Sequence, residues 1–206
     1  MDRREELRQK ALRELQHSQV LMLNGHFDYG NGYHGRSYLN PHQLFRQPST
    51  IWRVAQDLLD LVPNDILQTV EVVAGPSTGG ALLAHTIAGL LDSRRSLSHL
   101  PCLFAPFHVD PAGDLSLRDF YRSEVKGRRV LLADDVRNTG VTMARCAALI
   151  ASAGGVLVAT VEIYDRMEAL STLSVPNIAL AEYEATENCK VADCLQCKAG
   201  TAITRF

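Results

Sequence analysis

The sequence has no apolar run long enough to cross a bilayer as a helix, which argues against a helical membrane protein. It has no basic excess either, since the net charge of its 206 residues is −2, and we therefore expect no nucleic-acid partner. Internal repeats, low-complexity tracts and a helix-turn-helix pattern are also missing. The charged start of the chain lacks the apolar centre of a signal peptide, so we expect a cytoplasmic location.

The most informative segment is an apolar run that ends in two acids and a glycine turn. Residues 130–133 are typical of a strand buried on both faces, and Asp134 and Asp135 follow directly. The turn 139–142 begins a helical pattern and offers free backbone N–H groups suited to a phosphate. The acids alone are more typical of a polar strand end, with Thr139 as a helix cap. The complete segment predicts a ribose 5-phosphate site at the carboxyl edge of a sheet.

This segment resembles the phosphoribosyl pyrophosphate (PRPP) motif of type I phosphoribosyltransferases, with four hydrophobic residues, two acids and Thr-Gly-x-Thr. The resemblance implies that Asp134 and Asp135 hold the ribose hydroxyls and share a Mg²⁺ bound through PRPP. It also implies a turn that holds the 5′-phosphate, formed by Val136, Arg137, Asn138, Thr139, Gly140, Val141 and Thr142.

Strands and helices alternate along the chain, which predicts an α/β protein. The resemblance specifies an open, mostly parallel twisted sheet flanked by helices. It also implies one phosphoribosyltransferase domain over residues 1–206, with a core at about 48–183. A small hood would be built from about 18–47 and 184–206.

A second glycine turn follows the strand predicted over residues 70–74. Its glycines allow close approach of a ligand, and no Gly-Lys-Ser/Thr of a Walker loop follows. By resemblance this turn binds pyrophosphate and contains a cis peptide between Ser77 and Thr78. A plain structural turn is the alternative. Many orotate enzymes have a lysine where Gly79 stands. The predicted pyrophosphate residues are Gly75, Pro76, Ser77, Thr78 and Gly79.

Residues 25–40 resemble the hood segment of orotate phosphoribosyltransferases, through the pattern Gly-His-Phe…Gly-x-His…Tyr. Aromatic rings there are suited to stacking on a planar base, and Arg36 is suited to pairing with a carboxylate such as that of orotate. The alternative is that the aromatic residues only pack the hood on the sheet. Gly30 stands where some members have a PRPP-contacting lysine. The predicted base-binding residues are Phe27, His34, Arg36 and Tyr38.

Residues 108–124 have no clear period, and we expect a mobile loop. In the resembled family a loop here brings positive charge to the leaving pyrophosphate, and Arg118 or Arg122 is our candidate cation. Solvated loop charge is the alternative for both residues.

Cysteines cluster near the end of the chain as Cys189, Cys194 and Cys197. One Cys-x2-Cys pair plus a third cysteine suggests structural Zn²⁺ without specifying it, and a fourth ligand would have to come from elsewhere. Reduced thiols are the alternative. The histidines are scattered and form no metal motif.

The function implied by the resemblance is Mg²⁺-dependent transfer of the phosphoribosyl group from PRPP to a base, with orotate as the first candidate acceptor. A transferase for a purine or another pyrimidine and a non-catalytic PRPP-binding regulator remain as alternatives. The absence of family lysines at Gly30 and Gly79 keeps both alternatives open. The resemblance further implies a homodimer.

Overall fold

Alternating strands and helices build a six-stranded sheet in a computed structural model of the chain, which describes residues 3–29, 32–95, 99–167, 173–184 and 188–205. The strands are β1 (Leu21–Met22), β2 (Phe27–Asp28), β3 (Tyr33–Gly35), β4 (Tyr38–Leu39), β5 (Val72–Pro76), β6 (Leu103–Val109), β7 (Leu115–Ser116), β8 (Arg129–Arg137), β9 (Val156–Asp165), β10 (Asn177–Glu182) and β11 (Cys189–Lys190). The helices are α1 (Arg3–His17), α2 (His42–Phe45), α3 (Pro48–Leu61), α4 (Asn64–Leu67), α5 (Gly79–Arg94), α6 (Asp119–Val125), α7 (Val141–Ser152) and α8 (Leu195–Lys198).

The central sheet has the strand order β10-β9-β8-β5-β6-β7. Neighbouring strands from β10 to β6 run parallel, and only β7 pairs antiparallel. Parallel pairing requires crossover connections, and helices α5 and α7 provide two of them. The predicted α/β class with an open, mostly parallel sheet is therefore confirmed.

Apolar side chains alternate between two cores, one on each face of this sheet. Val73 and Leu131 pack with α1, α3 and α5, whereas Val72 and Leu132 pack with Met143 of α7. Successive residues of a strand point to opposite faces, so an uninterrupted apolar run fills both cores. This explains why β5 and β8 are continuous apolar runs in the sequence.

Two smaller sheets lie outside the central one, both built from antiparallel pairs. One pairs β1 with β4, and the other has the order β11-β3-β2. The second joins the segment around residue 30 to the C-terminal tail, where Cys189 pairs with His34. A bridge between Phe27 and Thr204 adds to this connection. No helix in the described part of the chain combines the length and apolarity that a membrane crossing requires.

Candidate active site

Two loops meet at the carboxyl edge of the sheet because β5 and β8 are neighbouring parallel strands. The backbone of Gly79 approaches Asp135 so closely that a Cβ there would overlap the carboxylate oxygen Oδ2. A Cβ on Gly80 would lie 2.8 Å from Oδ1 of Asp134. The loops predicted to bind pyrophosphate and ribose are therefore in direct contact.

The two acids occupy different environments. Asp134 is buried, and its Oδ1 accepts the backbone N–H of Asp135 at 2.9 Å. Burial first, and then the charge of Asp135, raise the pKa of Asp134 well above its ordinary range. Asp135 is half-buried, accepts the N–H of Val136 at 2.9 Å and lines an open cavity. Asp135 is therefore the acid more accessible to a ligand.

The turn after these acids ends in a helix start. Gly140 has a φ of 77°, a left-handed conformation that glycine adopts without strain, and α7 begins at the next residue. The first intrahelical bond runs from the N–H of Ala144 to the carbonyl of Gly140 at 2.9 Å. The backbone N–H groups of Val141, Thr142 and Met143 lie before this first bond. N–H groups at a helix start have no carbonyl partner within the helix and favour binding of an anion.

One side chain of the predicted phosphate turn has another partner. Arg137 donates from Nη1 to Oδ2 of Asp165 at 2.7 Å, and both side chains are largely buried. Asn138 instead lines the open cavity, and Thr139 is half-buried. The turn therefore offers a ligand its backbone and the Asn138 amide, while the Arg137 guanidinium is held by the sheet.

The predicted pyrophosphate turn connects β5 to α5. The peptide bond between Ser77 and Thr78 is cis, as expected. The hydroxyl of Ser77 donates to the carbonyl of Phe107 at 2.6 Å, which ties the turn to β6. A Cβ on Gly75 would overlap the carbonyl of Gly80, so the close packing of α5 on the strand requires glycine here.

A cavity of about 350 Å³ opens beside Asp135, which is the size of many small-ligand sites. Its wall combines Asp135 and Asn138 with Tyr29, Tyr38 and Arg166. The rings of Tyr29 and Tyr38 are stacked with centroids 6.3 Å apart. Carboxylate, amide, aromatic faces and a cation therefore surround one space.

Only one of the four residues predicted to bind the base lies in this wall. Tyr38 lines the cavity, whereas Phe27 is 5% exposed and packs against the Tyr38 ring. His34 is 4% exposed and contacts Cys197, and Arg36 is exposed outside the cavity lining. The structure thus favours the packing alternative for Phe27 and does not place His34 or Arg36 in the cavity.

Sequence reasoning did not identify Arg166, which directly follows β9. Its Nη1 donates to Oδ1 of Asn138 at 3.3 Å, and its guanidinium carbon lies 5.0 Å from the centre of the Tyr29 ring. β9 pairs with β8 in parallel, with Asp165 opposite Arg137, so Arg166 emerges at the same sheet edge as the acids. Identifying Arg166 from the sequence would have required knowing that β9 lies next to β8 in the sheet.

The segment 108–124 differs from the loop that we expected. It contains the end of β6, the short strand β7 and most of α6. Arg118 is exposed at the residue before α6, and Arg122 lies within this helix. Neither residue lines the cavity in the described part of the chain, and their role as mobile cations stays a prediction.

The candidate metal-binding set at the cysteine tail differs from the one predicted. Cys194 and Cys197 lie beside His26 and His34, and the four side chains offer ligand atoms within 4.8 Å of one another. Cys189 is outside this group. The expectation that the histidines form no metal motif is therefore wrong, because the hairpin β2–β3 brings two of them together. Gly30, the other position without a family lysine, lies outside the described residues.

Comparison with known proteins adds sequence relatives and structural neighbours. The chain is 30% identical over 174 residues to an orotate phosphoribosyltransferase of Erythrobacter litoralis, covering 84% of each protein. The fold resembles an Aeropyrum pernix orotate phosphoribosyltransferase, with a TM-score of 0.63, 20% identity and coverage of 82% of this chain and 92% of the other. An adenine phosphoribosyltransferase from Rhodothermus marinus has a TM-score of 0.59, 19% identity and coverage of 84% and 99%. No protein-family model matches the chain.

Proposed function

The chain belongs to the orotate phosphoribosyltransferase family, and on that premise we propose that it transfers the phosphoribosyl group of PRPP to orotate. The products are orotidine 5′-monophosphate and pyrophosphate. One observation carries this proposal. The cavity of about 350 Å³ is lined by Asp135 of the acidic pair and by Asn138 of the turn that leads to the helix start at Gly140, so a sugar, its phosphate and a planar base would have adjacent positions.

Each end of PRPP has a set of groups suited to it. The N–H groups at the start of α7 suit the 5′-phosphate, and the carboxyl oxygens of Asp134 and Asp135 suit the ribose hydroxyls. The backbone of the turn 75–79 suits the pyrophosphate, since Gly79 lies against Asp135 at the point where ribose and pyrophosphate would join.

We propose Arg166 as the residue that pairs with the carboxylate of orotate. Arg166 and Tyr38 line the same cavity, so a ring stacked on Tyr38 would have this cation within the same space. Asn138 and the Tyr29 ring hold the guanidinium in this position. This assignment replaces Arg36, which is exposed outside the cavity lining.

The chemistry requires no protein nucleophile. A ring nitrogen of orotate forms a bond to C1 of PRPP while the bond from C1 to the pyrophosphate oxygen breaks, and pyrophosphate leaves with the electron pair. Positive charge develops on the ribose, and the carboxylate of Asp135 is placed to stabilise it. Fixed contacts at both ends of PRPP hold C1 in line with the base.

The acidic pair also fits the magnesium ion that the family implies. Mg²⁺ prefers oxygen ligands and usually binds through one or two carboxylates and substrate phosphates, and Asp135 presents such oxygens at the cavity wall. When bound, the ion would neutralise charge on the pyrophosphate.

We further propose that residues 18–47 and 184–206 act together as a hood over the core at 48–183. The homodimer and the cytoplasmic location stay predictions.

The test is a purified chain incubated with Mg²⁺, PRPP and one base at a time. We expect the ultraviolet absorbance of orotate to fall with time and pyrophosphate to appear in equal amount. Turnover of adenine or uracil in place of orotate would overturn the acceptor assignment. Binding of PRPP without turnover of any base would overturn the catalytic role and favour a regulator.

A further inference from the structure

Four metal-binding side chains converge between the N-terminal hairpin and the C-terminal tail. His26 precedes β2, and His34 lies in β3. Cys194 directly precedes α8, and Cys197 lies within it. His26, His34 and Cys194 are buried. Cys197 is exposed, but its sulfur faces the other three side chains. This cluster lies apart from the cavity beside Asp135, and the proposed transfer reaction does not use it.

The spacing of the four ligand atoms matches a tetrahedral zinc site. Zn–N bonds of about 2.05 Å and Zn–S bonds of about 2.3 Å place tetrahedral ligands at roughly 3.3 Å for N–N and roughly 3.5 Å for N–S. In the structure His26 Nε2 and His34 Nδ1 are 3.3 Å apart. Cys194 Sγ lies 3.4 Å from His26 Nε2, and Cys197 Sγ lies 3.6 Å from the same atom and 3.3 Å from His34 Nδ1.

An outer hydrogen bond orients the His26 imidazole toward the centre of the cluster, and an acid faces the outer nitrogen of His34. The second ring nitrogen of His26, Nδ1, lies 3.0 Å from the carbonyl oxygen of Thr201, which can only accept, so Nδ1 carries the proton. The neutral ring then presents the lone pair of Nε2 to the cluster. His34 Nε2 faces Oδ1 of Asp28 at 3.9 Å, which is longer than a hydrogen bond, and a carboxylate near the outer nitrogen of a histidine ligand recurs at zinc sites.

Without a metal, the thiols of Cys194 and Cys197 would have to donate S–H groups to His26 Nε2 and His34 Nδ1. With its proton on Nδ1, neutral His26 can only accept at Nε2, where three polar atoms converge. A cation at the centre satisfies both nitrogens and both sulfurs together and leaves the outer contacts in place.

We propose that His26, His34, Cys194 and Cys197 bind one Zn²⁺ ion as a closed structural site. Two thiolates and two imidazoles form a Cys2His2 set, and with all four positions supplied by the protein there is no open position for substrate. The ion would join the hairpin β2–β3 to a tail about 160 residues away, since His34 and Cys197 are 163 positions apart. It would thereby fix the strand preceding Tyr29, which lines the cavity.

Metal analysis of the tag-free protein, purified without chelators, tests the site directly. We expect about one zinc per chain by mass spectrometry, and more than about a tenfold loss of bound zinc in Cys194→Ser and Cys197→Ser. Cys189→Ser tests the ligand set, because this thiol contacts Cys194 but lies outside the group of four. It should retain zinc at the wild-type level.

Cobalt substitution provides a second readout that does not depend on any variant folding. Wild-type protein refilled with Co²⁺ should show the intense visible bands of a tetrahedral ion together with a thiolate-to-cobalt charge-transfer band. The proposal would be overturned if wild-type protein bound no zinc after incubation with the ion. A six-coordinate cobalt spectrum, or a Cys194–Cys197 disulfide in freshly purified protein, would overturn it as well. Zinc loss in Cys189→Ser would overturn the ligand set. All these measurements are independent of transferase activity.

Discussion

Replacing Glu162 by Gln should change how the stability of the protein depends on pH. Glu162 lies in β9 and is 0% exposed. Its Oε1 accepts from Asn177 Nδ2 at 2.6 Å, and its Oε2 has no hydrogen-bond partner among the described residues. Burial raises the pKa of this carboxyl from 4.5 to about 8, against the hydrogen bond from Asn177.

The sign of the effect follows from proton binding. The unfolded carboxyl loses its proton near pH 4.5, whereas the folded one keeps it to about pH 8. Glu162 therefore contributes stability that is fully present below pH 4.5 and is lost as pH rises toward about 8. Each pH unit within this window costs about 1.4 kcal/mol, so the loss between about pH 5 and about pH 7 is roughly 3 kcal/mol.

Urea unfolding of wild type and Glu162→Gln at both pH values measures this loss. The amide does not titrate, so the variant should gain about 3 kcal/mol relative to wild type between about pH 5 and about pH 7. Comparing the two pH values cancels any constant cost of fitting the amide. Glu184→Gln, at an exposed carboxyl, is the control and should follow the wild-type pH dependence. Parallel curves for wild type and Glu162→Gln would refute the reasoning.

Two further predictions concern the cavity and the turn beside it. Gly79→Ala should lower kcat/KM for PRPP about tenfold, because its Cβ overlaps the Asp135 carboxylate and relief costs about 1–3 kcal/mol. Gly89→Ala in the same helix meets no atom within 4 Å and should instead stabilise the protein by about 0.5–1 kcal/mol in urea unfolding. Arg166→Ala should raise the KM for orotate about 10- to 100-fold at unchanged KM for PRPP, and Arg36→Ala should leave both constants near wild type. An unchanged kcat/KM for PRPP in Gly79→Ala would contradict the first assignment. Equal KM values for orotate in Arg166→Ala and Arg36→Ala would contradict the second.

The strand β8 and the turn after it were predictable because their signals are local. An apolar run bounded by charge indicates a strand buried on both faces, and a glycine before a helix pattern indicates the turn. The contact between Asp135 and Gly79 was not local, yet it follows from parallel neighbours that end at one edge of the sheet.

The residues of the cavity wall were less predictable because pairing decides which side chains face it. Phe27 and Tyr38 are both aromatic and both lie in short strands, but only the ring of Tyr38 lines the cavity. Arg166 depends on β9 lying next to β8, and strand order is not a property of any single segment. The pattern of residues 25–40 therefore suggested Arg36, which the structure places outside the lining of this cavity.

The proposed zinc site escaped prediction for the same reason. Its cysteines are close in sequence and were noticed, whereas His26 and His34 are 160 or more residues away from them. They come together because β3 pairs with both β2 and β11. A search for histidines at the two ends of a short hairpin, combined with a Cys-x2-Cys pair, would have suggested the site.

The most direct test of the account is PRPP binding, measured by calorimetry in Mg²⁺, to wild type and to the double variant Asp134→Asn/Asp135→Asn. Each hydrogen bond to a charged group contributes roughly 1.5–3 kcal/mol, so we predict at least about a hundredfold weaker binding by the variant. Asp114→Asn, on the exposed β6–β7 hairpin, should bind as wild type does. A folded double variant that binds PRPP with wild-type affinity would contradict the assignment of this site.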